Sequence, residues 1–326
     1  MTNAKRLVYL VLEVSNLSAW REYLQLMYGL ELKLSHNSNE YELVIDDTGC
    51  RIIFLKGKAD DCVAAGWEVE DLDLCLNHLS KKNYQSEWFI ENKAKSRGIY
   101  RGLKLFDYST GIDIELFEKT SSANSFIPSK NGIEFEAGDL GFGHMTFNVK
   151  NLDDFDYFYK DALGLKATDY NQPVIGPGVK INVAFLRANK RHHSVAAAQI
   201  NGKRLNHFQL ETTNRNNVGL SYDRVRKSKF TIAHHVGVHP NDNQISFYAV
   251  TPSGFQSEIG AESKYVPENY DPVMFRGFSV WGHSMSYKAR LTTFLSNSKL
   301  FIRKFCGLKD LPDPKCFANL NNKINP

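Results

Sequence analysis

The stretches Leu7-Val8-Tyr9-Leu10-Val11-Leu12-Glu13-Val14 and Gly141-Phe142-Gly143-His144-Met145-Thr146-Phe147-Asn148-Val149 decide the fold, because they open two copies of one pattern. Each reads as a short strand and is followed by an Asn-Leu pair, Asn16-Leu17 or Asn151-Leu152. A helical stripe comes next. Trp20, Tyr23, Leu24, Met27 and Tyr28 form it in one copy, and Phe155, Phe158, Tyr159, Ala162 and Leu163 in the other. Both stripes place apolar side chains on one face of a helix. Asn16 and Asn151 suit N-caps, and Gly29 and Gly164 suit C-terminal glycines, thirteen residues from cap to glycine in each copy.

Two weaker copies follow the strong ones. Gly66-Trp67-Glu68-Val69-Glu70-Asp71-Leu72 leads into an apolar stretch through Leu76 and Leu79 and closes with Leu103–Phe106 and Ile112–Phe117. Leu205–Glu211 opens the last copy, which continues through a helix near Val218–Val225 to strands Ile245–Val250 and Phe255–Ile259. Thr251-Pro252-Ser253-Gly254 joins those two strands, and Ser109-Thr110-Gly111 occupies the matching place in the second copy. The expectation is an α+β chain of four βαβββ modules, paired into two open-barrel domains. The first pair spans 1–120, a Ser/Asn/Gly-containing linker 121–134, and the second pair 135–287. Residues 288–326 lie outside the repeat as a C-terminal extension, with an amphipathic helix expected over Arg290–Leu308.

Composition narrows the partners. The 326 residues suit about two domains, and 42% hydrophobic with 23% charged residues is an ordinary globular balance. Forty Lys and Arg against 36 Asp and Glu leave a scattered +4, a poor footprint for nucleic acid or an anionic membrane. Cys50, Cys62, Cys75, Cys306 and Cys316 contain no CxxC pair, which argues against a disulfide framework or a thiolate zinc site and suits a reducing compartment. The apolar run Leu7–Leu12 stops at Glu13, too short for a signal peptide or a membrane span. A soluble cytoplasmic protein is expected.

Chemistry enters where the repeat loses its symmetry. His144 has Tyr9 as its counterpart 135 residues earlier, and Glu258 has Glu115 as its counterpart 143 residues earlier. His207 holds the first-strand place of the fourth module. Strand alternation groups His144 with Thr146 and Asn148, His207 with Gln209 and Glu211, and Glu258 with Gln256, all on polar faces. If the modules close into a cup, those faces form its interior. Two imidazoles and a carboxylate on one side of a metal make the facial triad of non-haem Fe(II) enzymes. Zinc or nickel can use similar ligands, so the triad alone does not name the metal.

With these motifs go Arg191-His192-His193-Ser194, His239-Pro240-Asn241-Asp242, Ser246-Phe247-Tyr248, Glu258-Ile259-Gly260 and Ser279-Val280-Trp281-Gly282-His283. Together, over about residues 5–285, they resemble the type I extradiol ring-cleavage dioxygenases of the vicinal oxygen chelate superfamily, most of all the biphenyl-2,3-diol 1,2-dioxygenases. That resemblance implies Fe(II), with Mn(II) as second choice, held by His144, His207 and Glu258. It implies dioxygen as co-substrate and a catechol such as 2,3-dihydroxybiphenyl as substrate, in aromatic or steroid catabolism, on a homo-oligomer. His193 would be the acid/base beside dioxygen, with His192 the alternative in register. His239 and Tyr248 would bond substrate oxygens, and Asn241 and Asp242 would support that wall.

His36, His78, His234 and His235 match nothing in the family pattern and read as structural or surface residues. Ala261 and Asn243 depart from it, at positions where relatives carry an aromatic and a histidine, and the tail beyond about 288 is longer than usual. A glyoxalase- or isomerase-type member of the superfamily is the alternative enzyme. It would spread its ligands over both halves, where this chain has Tyr9 and Ala64. A non-catalytic small-molecule-binding module would lack the triad.

Overall fold

The structure, a computed structural model, describes residues 3–35, 40–120, 126–176, 179–298, 302, 306 and 313–317. Four modules follow in chain order. The first holds β1 (Ala4–Val14), α1 (Leu17–Tyr28), β2 (Lys33–Leu34), β3 (Tyr41–Val44) and β4 (Arg51–Lys56). The second holds β5 (Asp61–Val69), α2 (Leu72–Lys81), β6 (Ser86–Trp88), a short α3 (Glu91–Ser96), β7 (Leu103–Asp107) and β8 (Ile112–Phe117). The third runs through β9 (His144–Asn148), α4 (Leu152–Asp161), β10 (Lys166–Asn171), the hairpin strands β11 (Val174–Gly176) and β12 (Val179–Lys180), β13 (Val183–Arg187) and β14 (Val195–Ala198). The fourth has β15 (Leu205–Thr212), α5 (Arg215–Arg226), β16 (Ile232–Val238), β17 (Ile245–Val250) and β18 (Gln256–Ala261). A short β19 (Val273–Phe275) and α6 (Tyr287–Ser296) follow.

Local chemistry explains the helices. Asn16 accepts from the Ala19 amide and Asn151 from the Asp153 amide, so each satisfies a donor that an N-terminus would leave open. Gly29 is left-handed at φ 67° and closes α1 through the Gln25 carbonyl. α4 ends at Asp161, and the chain turns out through left-handed Gly164, whose amide bonds the Lys160 carbonyl. Every residue of both apolar stripes is buried.

The same topology recurs in each module. The first strand lies parallel to the last of its own module: β1 on β4, β5 on β8, β9 on β14 and β15 on β18. Modules then join through their first strands, β1 antiparallel to β5 and β9 antiparallel to β15. Two open barrels result, one an eight-stranded sheet in the order β2-β3-β4-β1-β5-β8-β7-β6, the other a nine-stranded sheet in the order β16-β17-β18-β15-β9-β14-β13-β10-β19. Residue registers agree as well. Tyr9 faces Gly66, which faces Glu115, just as His144 faces Gln209, which faces Glu258.

One apolar core joins the two sheets. Trp20 of α1 sits 5.1 Å from Phe54 of the first sheet and 5.7 Å from Phe255 beside the second. Its indole N–H donates to Ser253 Oγ at 2.9 Å. Tyr28, at the end of α1, donates to the backbone carbonyl of Glu258 at 3.2 Å. The first half therefore buttresses the strand that carries the second half's carboxylate.

The C-terminal helix occupies Tyr287–Ser296, three residues earlier at its start than expected. Ser286 caps it by accepting from Ala289. Of the remaining expected span, 297–308, only Asn297, Ser298, Ile302 and Cys306 are described, and the linker positions 121–125 and His36 lie outside the described residues. Among the described residues, no helix is long and apolar enough to cross a membrane.

Candidate active site

His144 is the first residue of β9, and the glycine before it explains its position. A Cβ on Gly143, which has φ 134°, would lie 2.1 Å from the Gln209 carbonyl oxygen, so glycine lets β9 approach β15. His207 comes from β15, and Glu258 from β18 on the far side of β15. Their ligand atoms converge. The two Nε2 atoms are 3.2 Å apart, and Glu258 Oε2 lies 3.3 Å from His144 Nε2 and 3.5 Å from His207 Nε2.

A chain of amides aims His207. Asn148 Nδ2 donates to the Lys203 carbonyl, and Asn206 Nδ2 donates to Asn148 Oδ1 at 2.8 Å. Asn206 Oδ1 is left to accept from His207 Nδ1–H at 2.8 Å, so the Nε2 lone pair points at the shared centre. Burial pushes the His207 imidazole pKa down to about 3, keeping it neutral. Burial works to raise the Glu258 pKa, but hydrogen bonds from His144 and His239 outweigh it and hold the carboxylate well below its usual range.

These donors fit a divalent cation. Ligands about 2.1 Å from a metal stand about 3.0 Å apart at right angles and about 3.4 Å apart in a tetrahedron. The observed 3.2–3.5 Å matches that spacing. Glu258 Oε1 is buried with only the His239 ring near it, Nε2 at a long 3.5 Å, an under-satisfied state that a nearby cation relieves. Among the described residues, both His/Asp/Glu groups compact enough for a metal lie in the second half, the other being His192, His193 and Asp242.

A cavity of about 310 Å³ opens over these three side chains. His193, His239, Asn241, Asp242 and Tyr248 also line it. The His193 ring lies over His144 with centroids 4.0 Å apart, and Phe185 meets its edge at 4.9 Å. His239 Nδ1–H donates to the Phe278 carbonyl at 2.9 Å, and its Nε2 is 2.8 Å from Tyr248 Oη. Burial alone would lower the His239 pKa, yet the Glu258 carboxylate raises it above the usual histidine value. His193 is held well below that value, by burial first and by His144 and His192 next. His192 does not face the cavity. It lies behind His193, fully buried, with the two Nδ1 atoms 3.0 Å apart.

A superfamily model described as Glyoxalase/Bleomycin resistance protein/Dioxygenase superfamily matches residues 141–259. The chain is 33% identical to a 3-methylcatechol 2,3-dioxygenase from Pseudomonas putida, over 87% of this chain and 99% of that one. It is also 33% identical to a biphenyl-2,3-diol 1,2-dioxygenase from Metapseudomonas furukawaii, over 86% and 93%. An iron-dependent extradiol dioxygenase from Rhodococcus jostii is 28% identical over 86% and 97%. The crystal structure of a catechol 2,3-dioxygenase superposes with a TM-score of 0.80 at 27% identity, over 89% of this chain and 97% of that one. The chain belongs to the extradiol ring-cleavage dioxygenases.

In this extradiol dioxygenase two further histidines reach the cavity. His234, expected to be structural or at the surface, lines it. Its register opposite Tyr248 puts both rings on one face, 5.1 Å apart, and that register cannot be read before β16 is paired with β17. His283 stacks on His239 at 4.1 Å. His235 bonds Tyr222 Oη at 2.8 Å and His78 bonds the Asp161 carbonyl at 2.6 Å, both structural. The C-terminal extension takes part too, since Thr293 of α6 lines the cavity.

The dioxygenase's first half shows what became of the equivalent positions. Tyr9 Oη donates to Glu115 Oε2 at 2.7 Å, and Arg97 Nε donates to the same oxygen at 2.9 Å. Gly66, standing where the second half has Gln209, leaves room for the Tyr9 ring, and Ala64 stands where His207 does. Arg97, with Lys93 Nζ 3.1 Å from the other carboxylate oxygen, thus supplies positive charge beside that carboxylate.

Proposed function

We propose that the chain opens the ring of a catechol at the bond beside its two hydroxyls, using Fe(II) held by His144, His207 and Glu258 and incorporating both atoms of dioxygen. The observation that carries this reading is the set of three donor atoms 3.2–3.5 Å apart, beneath a cavity whose walls hold His193, His239 and Tyr248. The iron-dependent relative and the two catechol-cleaving relatives support the metal and the substrate class. Pro173, Ile181, Val183, Ala198 and Ile200 line the cavity with apolar surface suited to a second ring, so a bicyclic diol such as 2,3-dihydroxybiphenyl is the proposed substrate. Modules 1–120 act as a non-catalytic scaffold, 121–134 as linker, and 135–287 as the catalytic unit.

Iron, when bound, acidifies a catechol hydroxyl and provides the redox capacity that dioxygen requires. The protein positions and moves protons. His239 Nε2 and Tyr248 Oη form a bonded pair on one wall that accepts a proton from a substrate hydroxyl and steadies the resulting oxyanion. His193, neutral and in ring contact with His144, takes and returns a proton on the opposite side. Asn241 and Asp242 are both buried and hold the loop that carries His239, Asp242 by accepting from the Gln244 amide. Phe185 and the apolar wall exclude water from the reacting atoms.

The test is aerobic turnover by Fe(II)-reconstituted protein with 2,3-dihydroxybiphenyl and smaller catechols. Oxygen uptake with a yellow ring-opened product is expected. Iron-loaded protein that consumes no oxygen with any of them contradicts the proposal.

A further inference from the structure

His192 turns away from the cavity and meets Asp169 of β10. Its Nε2 lies 2.7 Å from Asp169 Oδ2, and both residues are fully buried. The other carboxylate oxygen is already committed, for Asp169 Oδ1 accepts from the Val273 amide at 3.0 Å and from Tyr270 Oη at 3.3 Å. A carboxylate only accepts, so His192 must donate from Nε2–H. A neutral His192 then has its lone pair on Nδ1. That atom faces His193 Nδ1 at 3.0 Å, and one member of such a pair has to donate. His193 therefore carries its proton on Nδ1, and its Nε2 is left as the bare lone pair.

From this geometry we infer that Asp169 is a positioning residue for ring cleavage, acting through His192 to hold His193 in the Nδ1–H tautomer with Nε2 ready to take a proton. The inference rests on the proposed acid/base role of His193, but the tautomer itself does not depend on catalysis. Hydrogen-bond direction is relayed along the row Asp169–His192–His193 without any change in the number of protons it holds. The row also fixes the His193 ring plane, because His192, which bonds it, and Asp169, which bonds His192, are both fully buried behind the cavity.

The substitution Asp169→Asn tests the relay sharply. The Val273 amide can only donate, so the introduced carboxamide must turn its oxygen to that amide and its NH2 to His192. His192 Nε2 becomes the acceptor, His192 Nδ1–H the donor, and His193 is left protonated on Nε2. Asp169→Asn thus reverses the row, whereas Asp169→Ala only releases it.

The measurement is a long-range 1H–15N spectrum of histidine-labelled, metal-free protein, with His193 assigned by its absence in His193→Phe. Wild type is expected to show His193 protonated at Nδ1, and Asp169→Asn to show it protonated at Nε2. In iron-loaded protein, kcat for 2,3-dihydroxybiphenyl is expected to fall about 100-fold in Asp169→Asn, with a smaller loss in Asp169→Ala. KM should stay within about threefold in both, because neither change touches the residues proposed to meet the substrate. A wild-type His193 protonated at Nε2 overturns the inference, as does an Asp169→Asn protein with unchanged kcat. If wild type shows the stated tautomer but cleaves no catechol, the proposed function fails while the relay stands.

Discussion

His144 and His193 lie in ring contact, yet their proposed roles predict different losses. His144→Ala removes one of three converging donors, so iron content measured by metal analysis should fall far below that of wild type. His193→Phe keeps the ring packing and all three donors, so iron should remain while kcat drops by about 100-fold or more. An iron-replete His144→Ala protein contradicts the ligand assignment. The three proposed ligands were legible in the sequence because strand alternation puts each on a polar face and because the repeat exposes Tyr9 as the odd counterpart of His144. Asp169, His234 and His283 were not. They reach the site through pairings between β10, β16 and their neighbours, and those registers exist only in the folded sheet.

The first half's own cluster predicts a pH response. Burial favours a raised Glu115 pKa, but Arg97, Lys93 and the Tyr9 hydroxyl together hold it below the ordinary carboxylate value. A carboxylate with a depressed folded pKa contributes stability that is complete above its unfolded value of about 4.3 and is lost as pH falls through the folded one. Glu115→Gln should therefore flatten the acid limb of a urea-unfolding series below about pH 4.3. Arg97→Met leaves a buried carboxylate short of its main partner and should cost about 3–5 kcal/mol at neutral pH.

At the level of elements, the approach of β9 to β15 is what brings His144 to His207. Gly143→Ala puts a Cβ against the Gln209 carbonyl in a left-handed backbone, so it should lower both the unfolding midpoint and iron affinity. Loss of stability with iron affinity unchanged would show that this strand contact does not position the site. Elements with strong caps and long apolar stripes, α1 and α4, could be located from the chain alone. Short pieces such as α3, the β11–β12 hairpin and β19 carry too few residues for a periodicity to register. The same limit displaced the start of α6, whose first turn is set by the Ser286 cap rather than by an apolar stripe.

Across the whole molecule, the four-module repeat was readable because each module opens with the same strand, cap and stripe. The contribution of the C-terminal extension was not, since nothing in its pattern says where it docks. Ala289 packs in a cluster with Ala233 and Tyr248, and Asn297 bonds both the amide and the carbonyl of Asn201. Removing residues 287–326 uncovers that side of the cavity and should raise KM for 2,3-dihydroxybiphenyl more than it lowers kcat. Ring cleavage itself is best tested by mass spectrometry of the product formed by iron-loaded protein from 2,3-dihydroxybiphenyl under oxygen-18 gas. Incorporation of both labelled oxygen atoms into one ring-opened product is the expected result. A product carrying a single labelled atom, or none, would contradict extradiol cleavage at His144, His207 and Glu258.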